Sequence, residues 1–322
     1  MTTDVTVVED VWGAAFDTLS ARRDIRYLPD AWSDPAALRD AVRGTRALVV
    51  RNRTPVTRDL LAAAPDLRVV ARAGVGLDNI DLAAAAEHGV VVAAALGANA
   101  VSVAEHTLGL ALAVARRTVE LDGAVRTGAW RRTPGRELAG GVWGTLSAGA
   151  TARATLRLAR GLGMRAIAYD PYLDPADPRL AELGCELHPL DRVLARSDVL
   201  SVHLPATPDT RGLLDARRIA LMGEHAILVS AGRGEVVDED ALADALAAGR
   251  PAGAALDVRS TEPPVPGRLE AMANVVLTPH VAGITTDSQE RIAGLLCADI
   301  DAVLAGGAAR NAVAAATAGG PA

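Results

Sequence analysis

Residues 140 to 171, GGVWGTLSAGATARATLRLARGLGMRAIAYDP, restrict the possible folds more than any other stretch. The apolar run from Val142 to Leu146 predicts a strand. Small residues then predict a turn, Ala150 to about Leu162 a helix, and Ala166 to Tyr169 a second strand closed by an acid. This is a βαβ unit, the building block of a parallel sheet. In a G-x-G-x-x-G dinucleotide turn the first glycine makes the tight turn and the second lets the backbone approach a pyrophosphate. The third lets helix pack on strand, and an acid about 20 residues later takes the ribose hydroxyls. Here the frame reads Ser147, Gly149 and Ala152, with Asp170 as the acid. A methyl group at Ala152 still permits close packing, whereas Ser147 puts a Cβ where a glycine backbone is usual.

The rest of the chain extends this unit on both sides. Val5–Val8, Ile25–Tyr27, Ala47–Val50, Val69–Ala71 and Val90–Ala93 read as strands, with helices near Ala14–Ala21, Pro35–Val42 and Thr57–Ala63. Beyond Asp170 the strands are Leu187–Pro189, Val199–His203, Ala226–Val229, Gly253–Leu256 and Val275–Leu277. Helices fall at Leu190–Arg196, Ala216–Leu221, Glu239–Ala248 and Ser288–Leu304. Their apolar runs are continuous, the mark of strands covered on both faces. The expected architecture is α/β, with two Rossmann-like doubly wound parallel-sheet domains, the dinucleotide-binding domain being inserted into the substrate domain. Residues 1–98 form the first part of a flavodoxin-like substrate domain, 99–285 the dinucleotide-binding domain, and 286–322 return to the substrate domain. A long helix, Val103 to about Arg117, is apolar almost all round and implies burial on more than one side. Leu121–Leu138, with Trp130 and four arginines, reads as a loop or short helix crossing to a neighbour, and the Ala/Gly-rich tail as frayed. The long apolar helix and the Trp130 segment together predict a homodimer.

Composition sets the bounds. At 322 residues the chain is long enough for two domains, and a net charge of −6 argues against a nucleic-acid partner. Aromatic residues make up 2% of the chain, so Ala, Val, Leu and Ile fill the core, which suits helix-on-sheet packing. No apolar run reaches the length of a membrane span, and the start has no apolar signal region. Cys185 and Cys297 lie far apart without metal-like spacing, which predicts free thiols, no metal and a cytoplasmic location.

Three segments follow predicted strands and each brings one functional group to the edge where ligands of open α/β sheets bind. Arg233 lies in SAGRGEVVD, Glu262 in LDVRSTEP and His280 in LTPHVAG. They supply a cationic fork for a carboxylate, an acid, and a proton donor or acceptor near neutral pH. Singly, Arg233 could pair with Asp238 and His280 could be a core histidine; the trio together points to chemistry.

With these residues in hand, the chain resembles the D-isomer-specific 2-hydroxyacid dehydrogenases, most of all their phosphoglycerate-oxidising branch without a regulatory domain. The resemblance covers nearly the whole chain, through RAGVGLDNIDL from Arg72, NAVSVAEHTLGLALAVAR from Asn99, HLPATPDTRGLL from His203, SAGRGEVVDEDAL from Ser230, ALDVRSTEPP from Ala255 and LTPHVAG from Leu277. It implies NAD-dependent interconversion of a D-2-hydroxy acid and its 2-keto acid. His280 is then the acid/base, Glu262 orients and tunes it, and Arg233 holds the keto oxygen or carboxylate. Backbone amides at Val75 and Gly76 hold the substrate carboxylate. Arg51, Arg72 and more loosely Arg132 match arginines that face a substrate phosphate, which makes 3-phosphoglycerate the first substrate expected. The alternative for Arg51 and Arg72 is ordinary pairing with Asp59, Asp78 or other acids. The implied cofactor contacts are Ser147, Gly149, Ala150, Thr151, Asp170, His203, Pro205, Thr210, Ala231, Gly232, Asp257 and Gly283. Asp170 favours NAD over NADP, because its charge repels a 2′-phosphate.

The sequence also departs from the family. Ser147 replaces the first fingerprint glycine, Ser230 stands where Asn or Thr is common, and Arg259 and Ser260 stand where an aromatic residue and an acid are frequent. Two alternatives stay open: a reductase of glyoxylate or hydroxypyruvate, and a dehydrogenase-like cofactor-sensing binding protein with a weakened NAD site.

Overall fold

The computed structural model describes residues 3–313, and the chain divides into two compact units. One comprises Met1–Asn99 with Ile284–Ala322, the other Ala100–Gly283.

In the first unit β1 (Thr3–Val7), β2 (Ile25–Tyr27), β3 (Thr45–Val50), β4 (Val69–Arg72) and β5 (Val91–Ala94) form a parallel sheet in the order 5-4-3-1-2. This is the flavodoxin-like order, read from the other edge. The β-branched runs are buried on both faces. Val5, Val7, Val49 and Val69 meet Phe16, Leu19, Ile292, Leu296 and Ile300, while Leu48, Val50 and Val70 meet Leu38, Leu60 and Leu61. The helix Thr286–Leu304 is started by a capping box, in which the Thr285 hydroxyl accepts from the Ser288 amide and the Ser288 hydroxyl from the Thr285 amide.

The second unit carries β6 (Val142–Leu146), β7 (Arg165–Tyr169), β8 (Cys185–Leu187), β9 (Val199–Val202), β10 (Ile227–Ser230), β11 (Gly253–Leu256) and β12 (Val275–Leu277). All are parallel, in the order β12-β11-β10-β9-β6-β7-β8. Counted from β6 this is the Rossmann order 3-2-1-4-5-6 with one strand added, and its reversal lies between β6 and β9. The helices Ala100–Ala115 and Ala150–Gly161 cover one face through Leu110, Ala111, Leu156 and Ala159 against Trp143, Val199, Val229 and Ala255. The other face is closed by Val193, Leu194, Leu242 and Leu246. Both thiols are free and buried, and burial pushes Cys185 up to about 11 and Cys297 up to about 12. Among the described residues no helix is long and apolar enough to cross a membrane.

The segment from Leu121, expected as a loop or short helix, is helical from Thr118 to Arg126. One local expectation needs correction. Frayed structure does not describe the tail up to Val313, because Ala312–Val313 form β13, antiparallel to β5. The reason is electrostatic anchoring: the buried Asp299 carboxylate accepts from the Arg310 amide at 2.7 Å and the Asn311 side chain at 2.8 Å. Residues 314–322 of that tail lie outside the described residues.

Candidate active site

The turn after β6 is held by its own polar groups. Ser147 has φ +91°, a region that favours glycine, and its hydroxyl accepts from the Gly149 amide at 3.0 Å. The Thr145 hydroxyl donates to the Ser147 carbonyl at 2.7 Å. Asp170, at the end of β7, accepts from the Ala148 amide at 2.9 Å and from the Tyr172 amide at 3.1 Å. The acid therefore stands against the turn. Ala152 is fully buried, so the third fingerprint position performs its packing role, while Gly149, Ala150 and Thr151 form the accessible first turn of a twelve-residue helix. An open helix N-terminus beside a strand-end acid fits a dinucleotide.

The other expected cofactor contacts sit at the carboxyl ends of β9 to β12. His203 follows β9 and is buried, with its Nε2 3.0 Å from the Ser201 hydroxyl, which also accepts from Trp143 Nε1 at 2.9 Å. Burial pushes the His203 imidazole down to about 4, so it is neutral at physiological pH. Pro205 and Thr210 form one turn, the Thr210 hydroxyl donating to the Pro205 carbonyl at 2.6 Å. Ala231 and Gly232 follow β10, and a Cβ on Gly232 would stand 2.6 Å from the Leu204 carbonyl oxygen, so glycine is needed for the two loops to touch. Gly283 ends the loop after β12.

Glu262 and His280 meet directly. His280 Nδ1 lies 2.7 Å from Glu262 Oε2, with both side chains about one third exposed (31% and 33%). Burial disfavours the Glu262 carboxylate, but the bond from His280, the charges of His280 and Arg233 and the Arg259 amide outweigh it and hold its pKa below the ordinary value. An ionised carboxylate only accepts, so Nδ1 carries the proton and Nε2 remains the exchanging atom. Arg233 follows Gly232, half-buried, and donates to the Gly232 carbonyl at 2.9 Å. Asp238, the alternative partner for Arg233, accepts from the Ala241 amide and caps a helix.

Arg51 and Arg72 belong to the first unit, at the ends of adjacent strands, since Val50 is in register with Arg72. Arg51 donates to the buried Gln289 side chain, and its own amide is held by Glu9 at 2.7 Å. Burial lowers the Arg51 pKa against the opposing charges of Asp10 and Glu9. Arg72 is buried, donates to the Ala73 carbonyl at 3.0 Å, and lies so close to Gly74 that a Cβ there would stand 1.8 Å from Nη1. Val75 and Gly76 continue that loop, both partly exposed. Arg132 is exposed in the second unit.

Residues 108–282 match the NAD-binding domain of the D-isomer-specific 2-hydroxyacid dehydrogenases, more than half of the chain. The chain belongs to this family. It is 43% identical over 275 residues, 85% of its length, to the D-3-phosphoglycerate dehydrogenase of Mycobacterium leprae, and spans about half (52%) of that relative. The solved TT0316 protein from Thermus thermophilus superposes with a TM-score of 0.89 at 33% identity, covering 96% of this chain and 99% of that one. A glyoxylate reductase from Paecilomyes thermophila gives 0.87 at 26% identity, covering 97% and 98%.

Within this dehydrogenase fold, two features of the site hold it in ways that were not read from sequence. Asp257, expected there only as a cofactor contact, is 1% exposed and accepts from the amides of Val281 and Ala282, both at 2.9 Å, and from the Thr278 hydroxyl at 2.6 Å. With that hydroxyl's proton given to Asp257, His106 Nε2 is a donor shared between the Thr278 oxygen, 3.1 Å away, and Asp257 Oδ1, 3.5 Å away. Asp257 thus fixes the loop that carries His280. The second feature is Arg259, noted from sequence as a departure but given no role. The signal for His106 was its place in the AEHT run, which pointed to no chemistry without Thr278 beside it.

Proposed function

We propose that this chain is an NAD-dependent oxidoreductase that interconverts a small D-2-hydroxy acid and its 2-keto acid. The observation that carries this reading is the Glu262–His280 pair at 2.7 Å, on the same sheet edge as the dinucleotide turn and Asp170. When bound, the nicotinamide supplies the hydride acceptor or donor. Ser147, Gly149, Ala150, Thr151 and Asp170 would hold the cofactor's pyrophosphate and ribose. His280 Nε2 takes the proton of the substrate hydroxyl in oxidation and returns it to the carbonyl oxygen in reduction, while Glu262 stabilises the imidazolium through Nδ1. Arg233 fixes the substrate's oxygen atoms by charge and geometry.

The substrate proposed is phosphate- or phosphonate-bearing, with 3-phosphoglycerate first. Support comes from Arg51 and Arg72 at adjacent strand ends, beside the amides of Val75 and Gly76, and from the name of the Mycobacterium leprae relative. Arg132 is retained as a further phosphate contact. The test is a steady-state assay with NADH and phosphohydroxypyruvate, hydroxypyruvate or glyoxylate. A higher kcat/KM on the phosphorylated acid, lost in Arg51→Ala, is expected; equal efficiency on all three moves the assignment to a plain 2-keto acid reductase. NADH binding is read independently by energy transfer from tryptophan, with Trp143 inside β6. Binding without turnover on any of the acids would favour the cofactor-sensing reading.

The proposed state is a cytoplasmic homodimer. The helix Thr118–Arg126 has no buried residue, and Val119, Val125 and Trp130 are 56%, 51% and 83% exposed. Light scattering after size exclusion is expected to give twice the chain mass; a monomer at micromolar concentration rejects the dimer.

A further inference from the structure

Arg259 lies in the loop after β11 and touches both arms of the catalytic group. Its amide donates to Glu262 Oε1 at 3.1 Å, the oxygen that His280 does not use. On the other side its peptide is pressed against Gly234, the residue after Arg233. A Cβ on Gly234 would stand 1.9 Å from the Arg259 carbonyl carbon and 2.4 Å from the Ser260 nitrogen. The two peptide units that flank the Arg259 Cα therefore contact Glu262 on one side and the residue after Arg233 on the other.

The side chain of Arg259 pins that stretch of backbone from behind. Nη2 and Nε reach Glu239 Oε2 at 2.8 and 3.1 Å, and Nη1 reaches Glu270 Oε1 at 2.5 Å. Glu239 also accepts from the Ser260 amide at 2.7 Å, and Glu270 from the Gly267 amide at 2.7 Å. The Arg259 side chain is only 10% exposed. A planar fork bound on two edges has little freedom, and each carboxylate is itself tied to backbone. The clamp also spans three elements: Glu239 opens the helix Glu239–Ala247, and Glu270 lies on the short helical turn Leu269–Ala271.

We propose that the Glu239–Arg259–Glu270 clamp is a positioning device for the acid/base pair, acting through the Arg259 peptide on Glu262 and on the Arg233 loop. The nitrogens of its guanidinium are all engaged by the two carboxylates. The catalytic consequence rests on the dehydrogenase reading above, whereas the geometric consequence does not.

The test uses the full chain labelled with ¹⁵N-histidine. The hydrogen-bonded Nδ1 proton of His280 gives a downfield resonance, identified by its loss in His280→Gln. In Arg259→Ala this resonance is expected to broaden or move upfield. The value of kcat should fall about 10- to 100-fold, as for a misplaced catalytic group, with KM for NADH unchanged within about twofold. Arg259→Lys, which can reach only one carboxylate at a time, is expected to fall between the two. If Arg259→Ala does not fold, Glu270→Gln at the more open arm is read in the same way. An unchanged resonance and kcat in a folded variant overturns the proposal. Wild-type protein that turns over no 2-keto acid overturns the dehydrogenase reading alone, since the resonance still reports on the clamp.

Discussion

The Ser147 hydroxyl accepts from the Gly149 amide at 3.0 Å, so a side chain of the dinucleotide turn occupies one of the turn's own donors. Ser147 makes this bond while holding φ +91°. Such a backbone state costs a non-glycine residue about 1–3 kcal/mol. A hydroxyl on an amide is also a competitor for any phosphate oxygen that approaches the same N–H.

Ser147→Gly should relieve the strain and free the amide. Glycine gives back part of the gain through the entropy of the unfolded chain, so the expected net stabilisation is about 1 kcal/mol. NADH affinity should rise about 3- to 10-fold, the worth of one ordinary hydrogen bond. Ser147→Ala keeps the strain and frees only the amide, so it should tighten NADH without raising Tm. Unchanged affinity in both variants, measured by fluorescence titration, would show that the hydroxyl is no obstacle.

Removing the acid/base partner should act on kcat rather than on binding. His280→Gln is expected to lower kcat about 10²- to 10⁴-fold with NADH binding intact. Glu262→Gln retains the shape but no longer stabilises an imidazolium, so its kcat should lie between wild type and His280→Gln. Loss of NADH binding in either variant would place these residues in cofactor binding instead.

How much of this was legible beforehand depended on whether the signal was local. The sheet of the second unit could be read because its strands are continuous apolar runs, and Asp170 because it closes one of them. Glu262 and His280 could be named but not paired, since they are joined by loops after different strands. The strain at Ser147 was foreseeable only as a condition, because φ is set by the turn and not by residue type. The anchoring roles of Asp257, Arg259 and Asp299 escaped for one common reason. Each acts by binding backbone amides or carboxylates distant in sequence, and no pattern of residue types along the chain encodes those partners.

His203 makes stability depend on pH in a defined window. Its folded pKa, pushed down to about 4 by burial, lies below the ordinary 6.5, so the unfolded chain takes up the proton first as pH falls. The stabilisation is complete above about pH 6.5 and is lost on descending toward pH 4. Between pH 7.5 and pH 5 this one group accounts for a loss of about 2 kcal/mol. His203→Gln retains a polar group for the Ser201 hydroxyl and cannot titrate. Urea unfolding at the two pH values should show a smaller fall for the variant by that amount; equal falls would mean that His203 is not the group responsible.

Asp257 offers the last test, because its carboxylate organises the loop that bears His280 without being part of the acid/base pair. Burial opposes its charge, yet the bonds from His106, Thr278 and the Ala282 and Val281 amides hold its pKa below the ordinary value, so it is ionised at neutral pH. Asp257→Asn replaces one acceptor oxygen by an amino group that faces donors. Whichever way the amide is turned, at least one of the Val281 and Ala282 amides loses its partner. A buried donor left unsatisfied costs about 1–3 kcal/mol, so Tm should fall accordingly. The His280 amide donates to the Asp257 carbonyl at 2.7 Å and is untouched by the substitution, so the loop should loosen from its far side, at residues 281 and 282. Amide hydrogen exchange should therefore accelerate at Val281 and Ala282 before it does so at His280, and kcat should fall with them. Uniform acceleration across the whole sheet would instead indicate global destabilisation, and the loop-anchoring role of Asp257 would be lost.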